Sequence, residues 1–344
     1  TLGKIALFGA GARGIDAYRY LQNGGHLVHC FVDNDVQKQH RQLMGIPIVS
    51  PGDKLVTEAD TFIVTAKTSF SSIERQLRPF KKKICLPYDA ILVSDRFDDF
   101  SQLRSILEDE TSQECFSAIL LSMLTGHQSY CADVMDFNQY FCMPQFLSTD
   151  DCFVDAGAFV GDTAERFIWA NTGMFKHLLL FEPGIPQIEA LKFRMARLVR
   201  EWCLDSGKIT IVQAALADKD GIAPYTSDPN KPAASAITDC EAINSERTHT
   251  IEVRSLDSFL GATNHRVSFL KSDIEGMELE MLRGARNTIM RNQPKLAISA
   301  YHHPFDLIDL PAFIRSLVPE YRVALRHHSP NLAESVLYFW LETH

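Results

Sequence analysis

The sequence predicts an α/β protein: a doubly wound, mostly parallel sheet with an antiparallel edge, preceded by a smaller Rossmann-like α/β domain. Three observations predict it. Twice an apolar run breaks into a glycine-bearing loop and then an amphipathic segment, first around Gly9, Gly11 and Gly14, then around Gly157 and Gly161. Strand, tight loop and helix in that order open a nucleotide-binding α/β unit. From Cys152 onward, short apolar runs alternate with segments of helical period to the end of the chain. The last two runs, 321–326 and 335–340, are joined by a short polar loop, which suits an antiparallel pair closing a parallel sheet.

Composition narrows the function. The chain has 344 residues, 46% hydrophobic and 22% charged, enough for two ordinary domains. A formal net charge of -9 and the lack of a long basic run argue against nucleic acid and against an anionic membrane surface as partners. The longest apolar run, near Ala118-Ile119-Leu120-Leu121, is far too short to span a bilayer. The chain reads directly into a strand with no signal-peptide pattern, although its first residue is Thr and a segment upstream is expected. Eight scattered cysteines without a CxxC pair predict reduced thiols, a cytoplasmic location and no thiolate zinc site.

In order, residues 1–95 form the small domain. A buried-strand run at 4–8 leads through Gly9, Gly11 and Gly14 into a helix carrying Ile15, Tyr18 and Leu21. A strand over 27–32 ends at Asp33, 22 residues beyond Gly11, near where a dinucleotide fold places the carboxylate for ribose hydroxyls. Gly9, Gly11, Gly14 and Asp33 are therefore a candidate nucleotide site. A short strand and turn follow at 45–51, then a strand at 61–65 and a helix at 71–77. This stretch resembles the small Rossmann-like domains that open sugar acyltransferases and other sugar-modifying enzymes, where such a loop and carboxylate can bind a nucleotide-sugar. The alternative is a domain kept for packing or oligomerisation.

Residues 96–150 read as a helical connector. Leu103, Ile106 and Leu107, then Phe116, Ile119, Leu120 and Met123, recur at helical spacing, and Gly126 ends the second run. The aromatic and methionine-rich stretch over 130–147 reads as core packed on the following sheet.

Residues 151–344 form the larger domain. Strands are expected near 152–156, 177–181, 209–216, 267–271, 295–301, 321–326 and 335–340. One helix face carries Ile188, Leu191, Met195, Leu198 and Trp202, and another carries Met277, Met281, Leu282, Ala285 and Ile289. Residues 223–250 are polar, hold three prolines and read as an insertion or mobile loop.

Ligands in open α/β sheets sit beyond the carboxyl ends of the strands. Those ends present Asp155, Glu182, Ala215, Asp273, the pair His302-His303 and the pair His327-His328. Glycine and acid come first and titratable groups later, as expected if one half holds a nucleoside and the other a reacting partner. Glu182 lies about twenty residues beyond the loop, where a carboxylate takes both ribose hydroxyls. The loop carries no Lys or Arg, and Asp162 follows Gly161. An acid there suits a cationic ligand better than a pyrophosphate, favouring S-adenosylmethionine over a dinucleotide, unless Asp162-Thr163 only caps the helix.

Residues 153–338 resemble the FkbM family of S-adenosylmethionine-dependent methyltransferases. The resemblance rests on Phe153-Val154-Asp155-Ala156-Gly157-Ala158 with Gly161-Asp162-Thr163, Phe181-Glu182-Pro183, and Ala214-Ala215-Leu216 with Asp218 and Gly221. Its most distinctive part is Leu270-Lys271-Ser272-Asp273-Ile274-Glu275-Gly276-Met277-Glu278, followed by Leu282-Arg283-Gly284-Ala285. Tyr301-His302-His303-Pro304, Leu325-Arg326-His327-His328 and Glu334-Ser335-Val336-Leu337-Tyr338 resemble one branch of that family.

The resemblance implies a class I methyltransferase fold and O-methylation of a hydroxyl on a sugar, glycoconjugate or similar natural product, possibly nucleotide-linked. It places Asp155, Gly157, Ala158, Phe159 and Gly161 around the methionine part, Glu182 on the ribose and Ala215 beside the adenine. Asp273 and His302, with Glu275 in support, are the candidates for taking the hydroxyl proton. The alternative for Asp273 and Glu275 is helix capping, and for the histidine pairs structural hydrogen bonding. Many family members carry an acid where this chain has Ser299-Ala300-Tyr301, which leaves the base open. A metal held by Asp273, Glu275 and a histidine would serve the same end, but the spacing does not demand one and none is predicted. The competing readings are a NAD-dependent oxidoreductase or nucleotide-sugar-binding protein using the first glycine loop, and a non-catalytic assembly protein.

Overall fold

The computed structural model describes residues 2–80, 83–226, 236–237 and 248–342. It divides into two compact units, one of Thr1–Gln102, Glu114–Met135 and Ser329–Leu332, the other of Leu103–Gln113, Asp136–His328 and Ala333–His344.

The first unit is built on strands β1 (Ile5–Phe8), β2 (Val28–Val32), β3 (Gln42–Leu43), β4 (Ile46–Val49), β5 (Thr61–Val64) and β6 (Ile84–Pro87), in the order β3-β4-β2-β1-β5-β6. All neighbours are parallel except the β3–β4 pair. β1 is central and wholly buried, as a parallel strand covered on both faces must be. β6 escapes sequence patterning because Ile84-Cys85-Leu86-Pro87 is a short, partly exposed edge ending in proline.

The second unit carries the larger sheet, with β7 (Cys152–Ala156), β8 (His177–Phe181), β9 (Ile209–Val212), β14 (Phe269–Ser272), β15 (Lys295–Ser299), β16 (Arg322–His327) and β17 (Ser335–Trp340). Their order is β16-β17-β15-β14-β7-β8-β9. β17 runs antiparallel to both β15 and β16, and the other pairs are parallel. The chain leaves β7 toward β8 and β9, then returns on the other side at β14. The switch point between β7 and β14 is where such a sheet opens a crevice.

Two expectations are corrected here. The single strand expected over 209–216 is two: β9 stays in the main sheet, while β10 (Ala215–Leu216) joins a small sheet with β11 (Gly221–Thr226), β12 (Ala236–Ile237) and β13 (Thr248–Arg254), in the order β10-β13-β11-β12. The polar stretch over 223–250 is also partly strand, because β11 (Gly221–Thr226) pairs antiparallel with β13 (Thr248–Arg254). β12 (Ala236–Ile237) pairs with β11, and 227–235 and 238–247 lie outside the described residues.

From residue 136 on, the aromatic stretch over 130–147 belongs to the second unit and joins its core. Tyr140, Phe141, Met143 and Phe146 are buried against Phe153, Phe167, Phe269 and Tyr338. Phe153 stacks on Phe167 with centroids 4.4 Å apart, and Phe146 meets Tyr338 edge-on at 5.0 Å. Such pairs add about 0.5–1.5 kcal/mol each beyond their buried area. They seat the amino end of β7, and so the loop that follows it. Among the described residues no helix is long and apolar enough to cross a membrane.

Candidate active site

A cavity of about 340 Å3 opens beyond the strand ends at this switch point. Its wall includes Gly157, Phe159, Glu182, Ala215, Asp273 and Glu275, six of the ten residues proposed for this domain's chemistry on sequence grounds. Asp155, Ala158, Gly161 and His302 are not part of its wall.

The loop after β7 is shaped by its glycines. Gly157 has φ +80, and a Cβ there would lie 2.0 Å from the Asp273 carbonyl oxygen, so only glycine lets the β7 and β14 loops touch. Gly161, at φ +83, faces the helix Ile185–Glu201, where an added Cβ would lie 2.7 Å from Leu191 Cδ1. The helix Asp162–Ala170 starts there, and Asp162, Thr163 and Arg166 of its first turns face the cavity. Asp162 is thus placed to meet a ligand as well as to begin a helix.

Asp155 and Lys271 form a buried pair beneath the loop. Lys271 Nζ lies 2.8 Å from Asp155 Oδ1 and donates to the Gly157 carbonyl at 2.8 Å. Burial raises the Asp155 carboxyl to about 6 against the pull of Lys271. Burial also lowers the Lys271 ammonium, but Asp155 and Asp273 outweigh it and hold it above its ordinary value. Asp155 therefore sets the loop from behind, through a lysine that sequence reading passed over.

Glu182 ends β8, buried, with Oε2 accepting the Phe159 N–H at 3.0 Å and Oε1 the Gly184 N–H at 2.8 Å. Burial raises its carboxyl, and the two N–H groups oppose that. Each oxygen keeps lone-pair capacity toward the cavity. Phe181, Ala214, Leu216 and Met277 give this end an apolar lining.

The other end is polar. Tyr140 Oη donates to Asp273 Oδ2 at 2.8 Å, and Tyr301 Oη lies 3.2 Å from both Asp273 Oδ1 and Glu334 Oε1. Gln139 Nε2 donates to Glu334 Oε2 at 2.7 Å. Gln139, Tyr140, Tyr301 and Glu334 were not singled out from the sequence as site residues. Tyr140 and Tyr301 carried the right type for a polar wall, but only the fold brings the connector and the β16–β17 turn to one cavity.

Glu275 stands on this wall with a left-handed backbone, φ 54. Burial raises its carboxyl; His302 opposes that, Asp273, Glu278 and Glu334 add to it, and the result is about 7. No side chain caps the helix Glu278–Gly284, and Glu278 Oε1 accepts the Ile274 N–H of the loop before it at 2.9 Å.

His302, a candidate base, sits among three carboxylates. Its Nδ1 lies 3.0 Å from Glu278 Oε1 and its Nε2 3.5 Å from Asp273 Oδ1. Burial lowers its pKa, but Glu278, Asp273 and Glu275 outweigh that and raise it to about 9. That direction favours the protonated ring and so disfavours it as the proton acceptor. The other histidines of the two pairs are structural: His303 Nε2 meets the Gly276 carbonyl at 2.7 Å, His327 Nδ1 meets Ser335 Oγ at 2.9 Å, and His328 Nδ1 meets the Asp136 carbonyl at 2.7 Å. Asp273, Glu278 and His302 can bring ligand atoms within 4.8 Å of one another, a metal-like spacing. The ring's two nitrogens nevertheless face different carboxylates, which is the arrangement of a shared proton.

Linkage makes the His302 assignment measurable. A histidine raised above its unfolded value near 6.5 contributes stability that is complete below that value and lost as pH rises through about 9. The full effect is at most about 3 kcal/mol. Urea unfolding should show wild type losing stability relative to His302→Gln across that window. Parallel pH curves would refute the imidazolium.

In the first unit, Gly9 and Gly14 meet: a Cβ on Gly14 would lie 2.1 Å from the Gly9 carbonyl oxygen, whereas one on Gly11 meets nothing within 4 Å. Asp33 Oδ2 accepts the Ala10 N–H at 2.9 Å and pairs with Lys38 Nζ at 3.1 Å. Burial raises the Asp33 carboxyl, but the Asp35 and Ala10 N–H groups and Lys38 outweigh it and hold it low. Asp33 is thus bonded to the loop that carries Gly9, Gly11 and Gly14, its carboxylate already serving that loop and Lys38.

The profile described as "Methyltransferase FkbM domain" matches residues 155–327, which spans the whole cavity-bearing sheet up to β16. The chain belongs to the FkbM methyltransferase family. A second profile, "C2185-like, N-terminal", matches residues 1–85. The crystal structure of an FkbM methyltransferase from Methylobacillus flagellatus KT is 23% identical, with a TM-score of 0.61, over 99% of this chain and 90% of that one; it shares the fold. Aeropyrum pernix fibrillarin, crystallised with natively bound S-adenosyl-L-methionine, is 12% identical over 67% of this chain and 75% of that one, at a TM-score of 0.32. UDP-D-quinovosamine 4-dehydrogenase from Vibrio fischeri is 20% identical over 25% of this chain and 78% of that one, at a TM-score of 0.22. None of the curated proteins matches the chain.

Proposed function

We propose that this FkbM methyltransferase uses S-adenosylmethionine to methylate a hydroxyl on a sugar, glycoconjugate or similar natural product. The observation that carries the reading is one cavity with a nucleoside-type end, Phe159, Glu182 and Ala215, facing an acid-type end, Asp273 and Glu275. The residues fit the cofactor. Glu182 has acceptor capacity for two ribose hydroxyls, the apolar lining suits adenine, and Asp162 with the acid wall suits a cation.

When bound, S-adenosylmethionine supplies a methyl group on a positively charged sulfur. The chain's own residues must do the rest. The β14 loop would position the acceptor hydroxyl, and Glu275 would take the hydroxyl proton as that oxygen accepts the methyl group. Asp273 is fixed by two tyrosines and His302, so it orients the acceptor and Glu275 receives the proton.

Calorimetry with S-adenosylmethionine, S-adenosylhomocysteine and NAD tests the reading. Binding of the first two is expected; tight NAD binding with no response to either would overturn it in favour of an oxidoreductase using Gly9, Gly11, Gly14 and Asp33. Glu182→Ala is expected to weaken S-adenosylmethionine binding by at least ~1.4 kcal/mol, a tenfold loss. Unchanged affinity would remove Glu182 from the ribose.

A further inference from the structure

We propose that Arg166 and Asp162 form a subsite for the amino-acid end of the cofactor, Arg166 taking its carboxylate and Asp162 its ammonium. This deepens the methyltransferase reading and rests on it. Both residues line the cavity, one turn apart on the helix Asp162–Ala170 that follows the glycine loop. Side chains four apart on a helix stand about 5–6 Å from each other at Cβ, so this wall sets one cation beside one anion. Arg166 donates an N–H to the Phe137 carbonyl at 2.7 Å, its only hydrogen bond among the described residues. A guanidinium has five N–H donors, so most of its capacity is left for a ligand. The acid next to it in sequence, Glu165, is already taken by Arg194 at 2.8 Å and Arg197 at 2.6 Å.

A carboxylate entering this cavity finds few other donors. The Gly157 and Ala158 N–H groups both donate to the Phe181 carbonyl, at 3.1 and 2.9 Å. The Phe159 N–H donates to Glu182 Oε2 at 3.0 Å, and the Gly161 N–H to the Ala158 carbonyl at 2.7 Å. The loop's own backbone is thus largely spent, unlike a loop that cradles an anion. Of the two cations on the cavity wall, Lys271 is paired with Asp155, and Arg166 has no carboxylate partner among the described residues. A planar guanidinium closes on a carboxylate through two parallel N–H bonds.

The surrounding charges select a zwitterion over a simple anion. Asp162, Asp273, Glu275 and Glu334 share the wall with Arg166, so a ligand bringing only negative charge would be repelled as well as held. An α-amino acid carries both signs on a single carbon. Its ammonium answers Asp162 while its carboxylate answers Arg166. The nucleoside then extends along the wall toward Glu182 and Ala215. An anionic group on the acceptor is the other source of negative charge for Arg166, and binding measurements separate the two.

The test is calorimetry on the full chain with S-adenosylmethionine, its decarboxylated form, S-adenosylhomocysteine, and methylthioadenosine, which lacks the amino-acid end. Wild type is expected to bind S-adenosylmethionine about 10- to 100-fold more tightly than the decarboxylated form, the range for hydrogen bonds to charged groups. Arg166→Met should abolish that gap by weakening S-adenosylmethionine and leaving the decarboxylated form unchanged. Arg166→Lys keeps the charge and loses the fork, so it should retain part of the gap, and it serves if the methionine variant does not fold. Asp162→Asn should weaken S-adenosylhomocysteine, which has the ammonium but no sulfonium charge, and spare methylthioadenosine. A gap absent from wild type, or undiminished in either Arg166 variant, overturns the proposal; the second result would turn Arg166 toward an anion on the acceptor. So does a loss that methylthioadenosine shares equally, and unchanged S-adenosylhomocysteine affinity in Asp162→Asn removes the ammonium's partner. Wild type binding none of the four ligands would instead defeat the methyltransferase reading itself.

Discussion

Glu275→Gln is expected to lower kcat by about 10²- to 10⁴-fold, the usual contribution of a positioned general base, while leaving the fold and cofactor affinity intact. Glutamine keeps the shape and cannot take the proton. The assignment follows from a comparison of neighbours. His302 lies between Glu278 and Asp273, whose charges favour its protonated form, and Asp273 accepts from both tyrosines. Glu275 has no strong donor on it, the His302 Nε2 being 3.9 Å away, and its carboxyl sits at about 7. A base must be deprotonated to act, so wild-type kcat is expected to rise with pH through about 7 and to level off above it. Glu275→Gln should lose that limb along with the rate. A wild-type rate and an intact limb in the variant would transfer the role to Asp273, and Asp273→Asn would then show the larger loss.

Much of this was legible in the sequence because local rules and tertiary needs agree there. Gly157 and Gly161 mark a loop that must turn left-handed and touch its neighbours, and the apolar period before and after them fixes strand and helix. The antiparallel edge followed from the short polar loop between β16 and β17. Glu182 was found by its distance from the loop, which the βαβ unit sets. The polar end of the cavity was less legible, since its members come from separate places: Gln139 and Tyr140 precede β7, Tyr301 follows β15, and Glu334 lies in the last turn. No local spacing links them. Tyr140 illustrates the difficulty well, because its ring belongs to the aromatic core while its hydroxyl holds Asp273. A stripe read as core was core, and still supplied a site residue. His302 was less legible for another reason: its surroundings include Glu278, which opens the helix after β14, and a neighbouring carboxylate raises an imidazole's pKa.

Lys271→Met is expected to cost about 3–5 kcal/mol of stability, the range for breaking a buried ion pair from one side. Lys271 and Asp155 lie opposite each other in register on β14 and β7, with side chains 2% and 0% exposed. Methionine fills the volume but leaves the Asp155 carboxylate facing no charge. That carboxyl, already raised by burial, would rise further once Lys271 no longer opposes the shift. A folded-state value above the unfolded one means that the ionised form is what destabilises the variant, so Lys271→Met should regain stability as pH falls from 7 toward 5. Adding Asp155→Asn should restore part of the loss at neutral pH by removing the orphaned charge. Urea unfolding of the three proteins decides it: a single-variant loss below ~1 kcal/mol, or a double variant no better than the single, would mean the pair does not hold the strands. The double variant carries the functional consequence. Lys271 Nζ also binds the Gly157 carbonyl, so a protein that regains its stability without that ammonium is expected to keep its sheet and still bind cofactor more weakly.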